Sequence, residues 1–144
     1  MMNMFDSEIN MDDLRWLTPR MRSALNRATE LTALEVWGNL MEFSPQDHGR
    51  LAGSWKLQKR NARFYTVGTN VEYALVQNYG SGPYEIYPRR AKALRFEVNG
   101  EVVFAKKVKH PGIKPKRFIE RSIAAAERRI DDFVEQALKE VKLI

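Results

Sequence analysis

Two hydroxyl–proline pairs, Thr18-Pro19 and Ser44-Pro45, set the start and stop of one long helix, and everything else must pack around it. Threonine caps a helix well, and proline suits the first helical position, where its missing N–H costs nothing. A residue that precedes proline avoids helical backbone, so Ser44 should end the run. The pairs predict a helix over residues 18–43, preceded by an N-terminal arm over 1–17. Its apolar residues change sides part-way along. Met21, Ala24, Leu25, Ala28 and Leu31 share one face, whereas Ala33, Val36, Trp37, Leu40 and Met41 centre roughly 150° around from it. A kink near Leu31, or burial on both sides within the monomer, would account for this. The sharper reading is that one face packs on the chain's own sheet while Val36, Trp37, Leu40 and Met41 meet another subunit.

After Gly49 the text becomes β-type. "SWKLQKR" and "RFYTVGT" are short runs rich in aromatic and β-branched residues. "VEYALVQNYG" reads as a short helix over 71–79 that ends at Gly80. "KALRFEV" and "EVVFAKKV" flank Asn99-Gly100, a pair suited to a type I′ turn because both positions accept positive φ. From Pro115 onward, Ile119, Ile123, Ala126, Ile130, Phe133, Ala137 and Val141 recur at helical spacing, predicting one long amphipathic helix over 115–142. The expectation is a single α+β domain over 1–144. A long N-terminal helix leads to a β-rich middle (50–108) forming a mainly antiparallel sheet, and a long C-terminal helix packs on that sheet.

Composition excludes several classes of function. With no cysteine, disulfides, thiol catalysis and zinc–thiolate sites are ruled out. No apolar run approaches the roughly 20 residues of a membrane helix, and the acidic start lacks the pattern of a signal peptide. An intracellular protein, or a particle assembled inside a cell, is expected. The net charge of +6 hides a split. Residues 1–49 hold eight acids and four arginines, a net of −4, and the remainder holds twenty cations and ten acids, a net of +10. From Arg89 to Arg117 ten cations face only Glu97 and Glu101. Such a half points to a polyanion or an acidic protein surface as partner, unless it is simply a solvated basic face.

Catalytic constellations are weak. Asp47, His48, Ser44 and Ser54 have the composition of a triad. Adjacent Asp and His in a turn cannot both make the aspartate–imidazole bond and aim the ring at a serine. Neither a GxSxG elbow nor HExxH, a calcium loop, a GxGxxG or a P-loop is present. No enzyme, cofactor or metal is expected.

The segment "VKHPGIKPKRF", Val108 to Phe118, reads as a joint. Pro111-Gly112 suits a tight turn, Pro115 is preset for helix entry, and Phe118 would anchor the helix's first turn in the core. His110 at its mouth suits a backbone hydrogen bond better than a base. The cations Lys106, Lys107, Lys109, Lys114, Lys116 and Arg117 remain over.

Four pieces of this sequence, in this order, resemble the tail-component family of tailed bacteriophages, the small neck or tail-completion proteins of long-tailed phages. The matching residues are Pro45, Asp47, Gly49, Leu51 and Ser54; then Tyr73, Ala74 and Gly80. Pro88, Lys92, Ala93, Leu94 and Phe96 follow, and His110, Pro111, Gly112, Lys114, Pro115 and Phe118 close the series. The resemblance spans roughly residues 20–130, and no single motif in it is diagnostic. His48 stands where the family usually has threonine, and Asn78 where it has glutamate.

The resemblance implies an α+β virion subunit at the head–tail junction, assembled in the host cytoplasm without cofactor or membrane. It would form a ring of six copies, or alternatively twelve, between head-completion or connector proteins and the tail terminator or tail tube. Its basic segment (Arg89, Arg90, Lys109, Lys114, Lys116, Arg117) would contact the acidic N-terminal half of a neighbouring copy, or else genome DNA in the channel. A loop over 80–90, poor in regular structure and displaying Tyr84, Ile86 and Tyr87, would reach a partner. The alternative is a small basic nucleic-acid-binding protein that uses 89–117.

Overall fold

The computed structural model describes residues 17–46 and 49–144, so the expected arm over 1–17, apart from Leu17, and the Asp47-His48 pair lie outside the described residues. Within these bounds the chain is α+β, with four α-helices and antiparallel strand pairs. Helix α1 (Pro19–Phe43) has Thr18 as its cap, whose Oγ1 accepts from the Met21 N–H at 3.2 Å. It closes on Ser44, whose backbone N–H and hydroxyl both donate to the Leu40 carbonyl. A 3-10 turn (Ala52–Ser54) leads to β1 (Lys56–Asn61), which pairs antiparallel with β2 (Phe64–Gly68). Then come α2 (Ala74–Tyr79), β3 (Tyr84–Ile86), β4 (Leu94–Val98), β5 (Glu101–Ala105), β6 (Val108–His110), α3 (Phe118–Glu127) and α4 (Ile130–Glu140). Asn99 and Gly100 join β4 to β5 with φ of 53° and 85°, both positive as a type I′ turn requires.

Three expectations are corrected. The strands form three separate two-stranded pairs, β1–β2, β3–β6 and β4–β5, instead of one sheet. The segment 80–90 contains a strand, β3, because β6 returns antiparallel beside it. The closing helix is two helices, which lie against α1 instead of on a sheet. Its break falls at Arg128-Arg129, where the Arg129 N–H bonds back three residues to Ala126 instead of four. The local sequence suits an end followed by a start. Two arginines follow the C-terminus of α3, and Asp131 and Asp132 occupy the first turn of α4, each charge favourable to the helix dipole beside it. Arg129 is also held by Glu35 of α1 at 2.9 Å and lies over the Phe133 ring.

Both apolar faces of α1 are filled from within the chain. In its first half Ala24 and Ala28 pack on Ala137 of α4, with Leu138 and Val141 alongside. Small residues let the two helices approach closely, and Arg27 reaches Glu140 at 2.8 Å across their edge. Hydrogen bonding from Arg27 holds the Glu140 carboxyl below its ordinary range. In its second half Leu40 joins Leu51, Trp55, Val71, Ala74 and Phe118 in the main core, and Val36, Trp37 and Met41 pack against that cluster. The expectation that Val36, Trp37, Leu40 and Met41 form a subunit interface is therefore corrected: helix α3, α2 and the segment 51–55 cover them. Trp37 donates its indole N–H to the Trp55 carbonyl at 2.9 Å, and Trp55 donates its own to the Ser44 hydroxyl at 2.8 Å.

Candidate assembly interface

The segment that begins at β6 is a joint between three elements. His110 stacks on Tyr84, its partner across the β3–β6 ladder, with ring centroids 4.6 Å apart. Its Nδ1 accepts the Gly112 N–H at 3.0 Å, so in the neutral ring the proton sits on Nε2. Pro111-Gly112 swings the chain past the ladder, and Ile113 then exchanges both backbone hydrogen bonds with Ser81 at 2.9 and 3.1 Å. Backbones touch here. A Cβ on Gly112 would lie 2.4 Å from the Ser81 oxygen, and one on Gly80 would lie 2.6 Å from the Ile113 oxygen. Both glycines also have positive φ, 94° and 78°. The two glycines of the motif series are thus the two sides of one crossing.

Beyond the crossing the chain caps two helices at once. The Lys116 and Arg117 N–H groups donate to the Gln77 and Asn78 carbonyls at 3.0 and 3.1 Å, closing the C-terminus of α2. In return the Asn78 side-chain oxygen accepts the Ile119 N–H at 2.9 Å, and its amide donates to Glu120 at 3.1 Å. Asn78 is fully buried, so these partners replace water. Arg117 takes a left-handed conformation (φ 51°) to make the turn, pairs with Glu120 at 3.5 Å and lies over the Tyr79 ring. Asn78→Leu should strand the Ile119 N–H and lower stability by about 1–3 kcal/mol. Urea denaturation would read this, and a midpoint equal to that of the parent chain would contradict the reciprocal cap.

Phe118 is fully buried, edge-to-face on Trp55 with centroids 6.3 Å apart. The earlier motif residues serve the same core. Leu51 is buried, and Ser54 bonds both the Leu51 carbonyl and Thr69, which in turn accepts the Val71 N–H at 3.1 Å. Gly49 turns at φ 68°, and its N–H donates to the Gln46 carbonyl. Pro45 and Pro88 are half-buried, and Ala74 is buried in the first turn of α2, with Tyr73 before it under the Arg50 guanidinium. Pro115 lies against Gly80. Of the motif residues, Leu51, Ala74 and Phe118 lie in the main core, and Gly80, His110, Gly112 and Pro115 meet at the joint.

The remaining interface candidates divide into two groups. Ile86 is half-buried, while Tyr84, Tyr87, Arg89, Arg90, Lys109, Lys114 and Lys116 are exposed. Glu85 gathers several neighbours: Lys107 approaches it at 3.7 Å, Lys109 is its partner across the β3–β6 ladder, and the Tyr87 hydroxyl donates to it. That hydrogen bond, with the carboxylate charge, pushes the Tyr87 hydroxyl above its ordinary range. Among the described residues no group of three or more His, Cys, Asp or Glu is placed to hold a metal ion.

A further exposed feature is one that the sequence reading missed. Among the described residues, strands β4 and β5 form a two-stranded ribbon that neither pairs with another strand nor packs substantially on any helix. Val98, Val102, Val103 and Phe104 are exposed on it, Phe104 at 66%. Isolated two-stranded ribbons are marginal in water, and an apolar one invites a partner. The available signal was "EVVFA": four apolar residues in succession give such a hairpin no purely polar face.

No family model, curated protein or solved structure matches this chain. What the site can do is therefore argued from its own residues. They offer backbone crossings, reciprocal caps and a ribbon that exposes apolar side chains among the described residues.

Proposed function

We propose that the chain is a non-catalytic virion subunit of a tailed bacteriophage, a neck or tail-completion component that closes with copies of itself into a ring at the head–tail junction. Six copies would match a sixfold tail tube and twelve a portal, the neighbours being head-completion or connector proteins and the tail terminator or tube. The sequence resemblance supplies the class of assembly. The observation that carries the proposal is the β4–β5 ribbon, which among the described residues pairs with no third strand and exposes Val98, Val102, Val103 and Phe104. Heterologous ring contacts need two different surfaces on one chain, and the charge split of −4 against +10 provides a second complementarity.

The test is Val98→Ser combined with Val103→Ser, which removes apolar surface from one side of the ribbon without touching the core. The variant should keep the parent's far-UV circular dichroism and lose ring assembly. Rings of unchanged size would contradict the proposal.

A nucleic-acid-binding role has one observation in its favour. One face of β1–β2 lines an open concavity of about 360 Å³ with Lys56, Arg60, Gln58, Thr66 and Asn70, and no acid. If this reading holds, binding to a random DNA duplex should be substantial at low salt and fall steeply toward physiological salt. The ring reading predicts weak binding throughout.

A further inference from the structure

Strand β4 has a chemistry that is complementary to itself when reversed. Leu94, Arg95, Phe96, Glu97 and Val98 are in turn apolar, cationic, aromatic, anionic and apolar. Directly opposed residues of an antiparallel pair lie on the same face. The register Leu94↔Ala105, Phe96↔Val103 and Val98↔Glu101 therefore gathers the apolar residues of β4 on one face. Arg95 and Glu97 lie exposed on the other, opposite Phe104 and Val102.

The backbone groups divide in the same way. Val98 and Glu101 flank a two-residue turn, which makes them a hydrogen-bonded pair. Alternation along the ladder then spends the N–H and C=O of Leu94, Phe96 and Val98 on β5, and turns those of Arg95 and Glu97 outward. Among the described residues no strand lies along that outer edge. Such an edge is a template for a further strand.

We infer that two copies of this chain pair antiparallel along their β4 edges, about a two-fold axis at Phe96, into one four-stranded sheet. The contact sets Arg95 of each copy against Glu97 of the other, with the outward backbone groups of both residues exchanging hydrogen bonds. Leu94 then faces Val98 across the axis, and Phe96 faces Phe96. The apolar faces of the two ribbons become continuous, and four strands with such a face are stable where two are marginal.

Charge fixes the register. A slip of one residue brings the apolar side of one ribbon level with the polar side of the other. A slip of two sets Arg95 against Arg95 or Glu97 against Glu97, and like charges directly opposed are destabilising. Parallel pairing in register makes the same error. The free edge of β5 offers no such selection, because its outward residues Val102 and Phe104 are both apolar. This goes beyond the ring reading: a two-fold contact pairs copies, whereas a ring closes through two different surfaces. A ring joined to a second ring through β4 has twice the copies.

Native mass over a range of concentrations tests the pairing. Arg95→Glu and Glu97→Arg each place like charges at both contacts, and each should raise the dimer dissociation constant on the order of tenfold or more. Both residues are exposed, so the parent's far-UV circular dichroism should persist. The two changes in one chain, and an equal mixture of the two single variants, restore opposite charges at both contacts and should restore pairing. The chain has no cysteine, so Phe96→Cys alone should oxidise to a covalent dimer, whereas Leu94→Cys alone, which faces Val98, should not. The inference is overturned if the parent never pairs or if the single reversals pair as the parent does. It is equally overturned if neither the double variant nor the mixture restores pairing, or if folded Phe96→Cys gives no covalent dimer. Pairing through β4 without any ring would sink the ring reading alone.

Discussion

Phe118→Ala should lower the free energy of unfolding by about 3–5 kcal/mol, the range for removing a fully buried aromatic ring from a core. The side chain has no exposed surface and meets Leu40, Leu51, Trp55, Val71 and Ala74. Its neighbours come from four parts of the chain: α1, the segment around the 3-10 turn, the residues leading into α2, and α2 itself. They cannot all close on a cavity together, because α1 is also tied to α4 through Ala24, Ala28 and Ala137. Denaturant unfolding with unchanged slope would measure the loss. A cost below ~1 kcal/mol would mean that the joint does not anchor the core.

Gly112→Ala should cost about 3 kcal/mol or more, although it adds a single methyl group. Its φ of 94° lies where a side chain is strained by roughly 1–3 kcal/mol. The new Cβ would also meet the Ser81 oxygen at 2.4 Å and the Gly82 carbon at 2.8 Å, both backbone atoms that cannot rotate aside. Relief would require separating Ile113 from Ser81 and losing their two hydrogen bonds. Gly100→Ala is the control. That residue has φ 85°, but nothing lies within 4 Å of the added Cβ, so only the conformational strain applies. If the two substitutions lower the thermal midpoint equally, the close crossing of backbones carries no weight.

Punctuation was the legible part of the sequence. Thr18-Pro19, Ser44-Pro45 and Asn99-Gly100 act through local backbone preference, which does not depend on what lies across the fold. The joint could be read for the same reason, since Pro111, Gly112 and Pro115 constrain their own dihedrals. What depends on partners was not legible. The turn of apolar faces along α1 is compatible with a second subunit or with a core that wraps the helix, and the covering elements are distant in sequence. Asn39, Asn78 and Ser122 are buried polar residues whose use appears only when their acceptors and donors arrive. Asn39 donates to the Ser122 carbonyl at 3.0 Å, and Ser122 donates to the Phe118 carbonyl at 2.6 Å. The break in the closing helix carried a local signal, "ERRIDD", which the unbroken apolar stripe obscured.

Correcting the role of Trp37 also moves the interface. Its charged variants should now unfold the monomer, since the ring packs on the main core and its N–H is bonded to Trp55. On the ring reading proposed above, the surface for assembly would lie at the β4–β5 ribbon and the basic residues around it.

The most direct test of this account is the native mass of the purified chain over a range of concentrations, with negative-stain images of the same sample. The account predicts closed rings of six copies, or alternatively twelve, with an open centre. A 16.8 kDa monomer at every concentration, with no ring in the images, would contradict it.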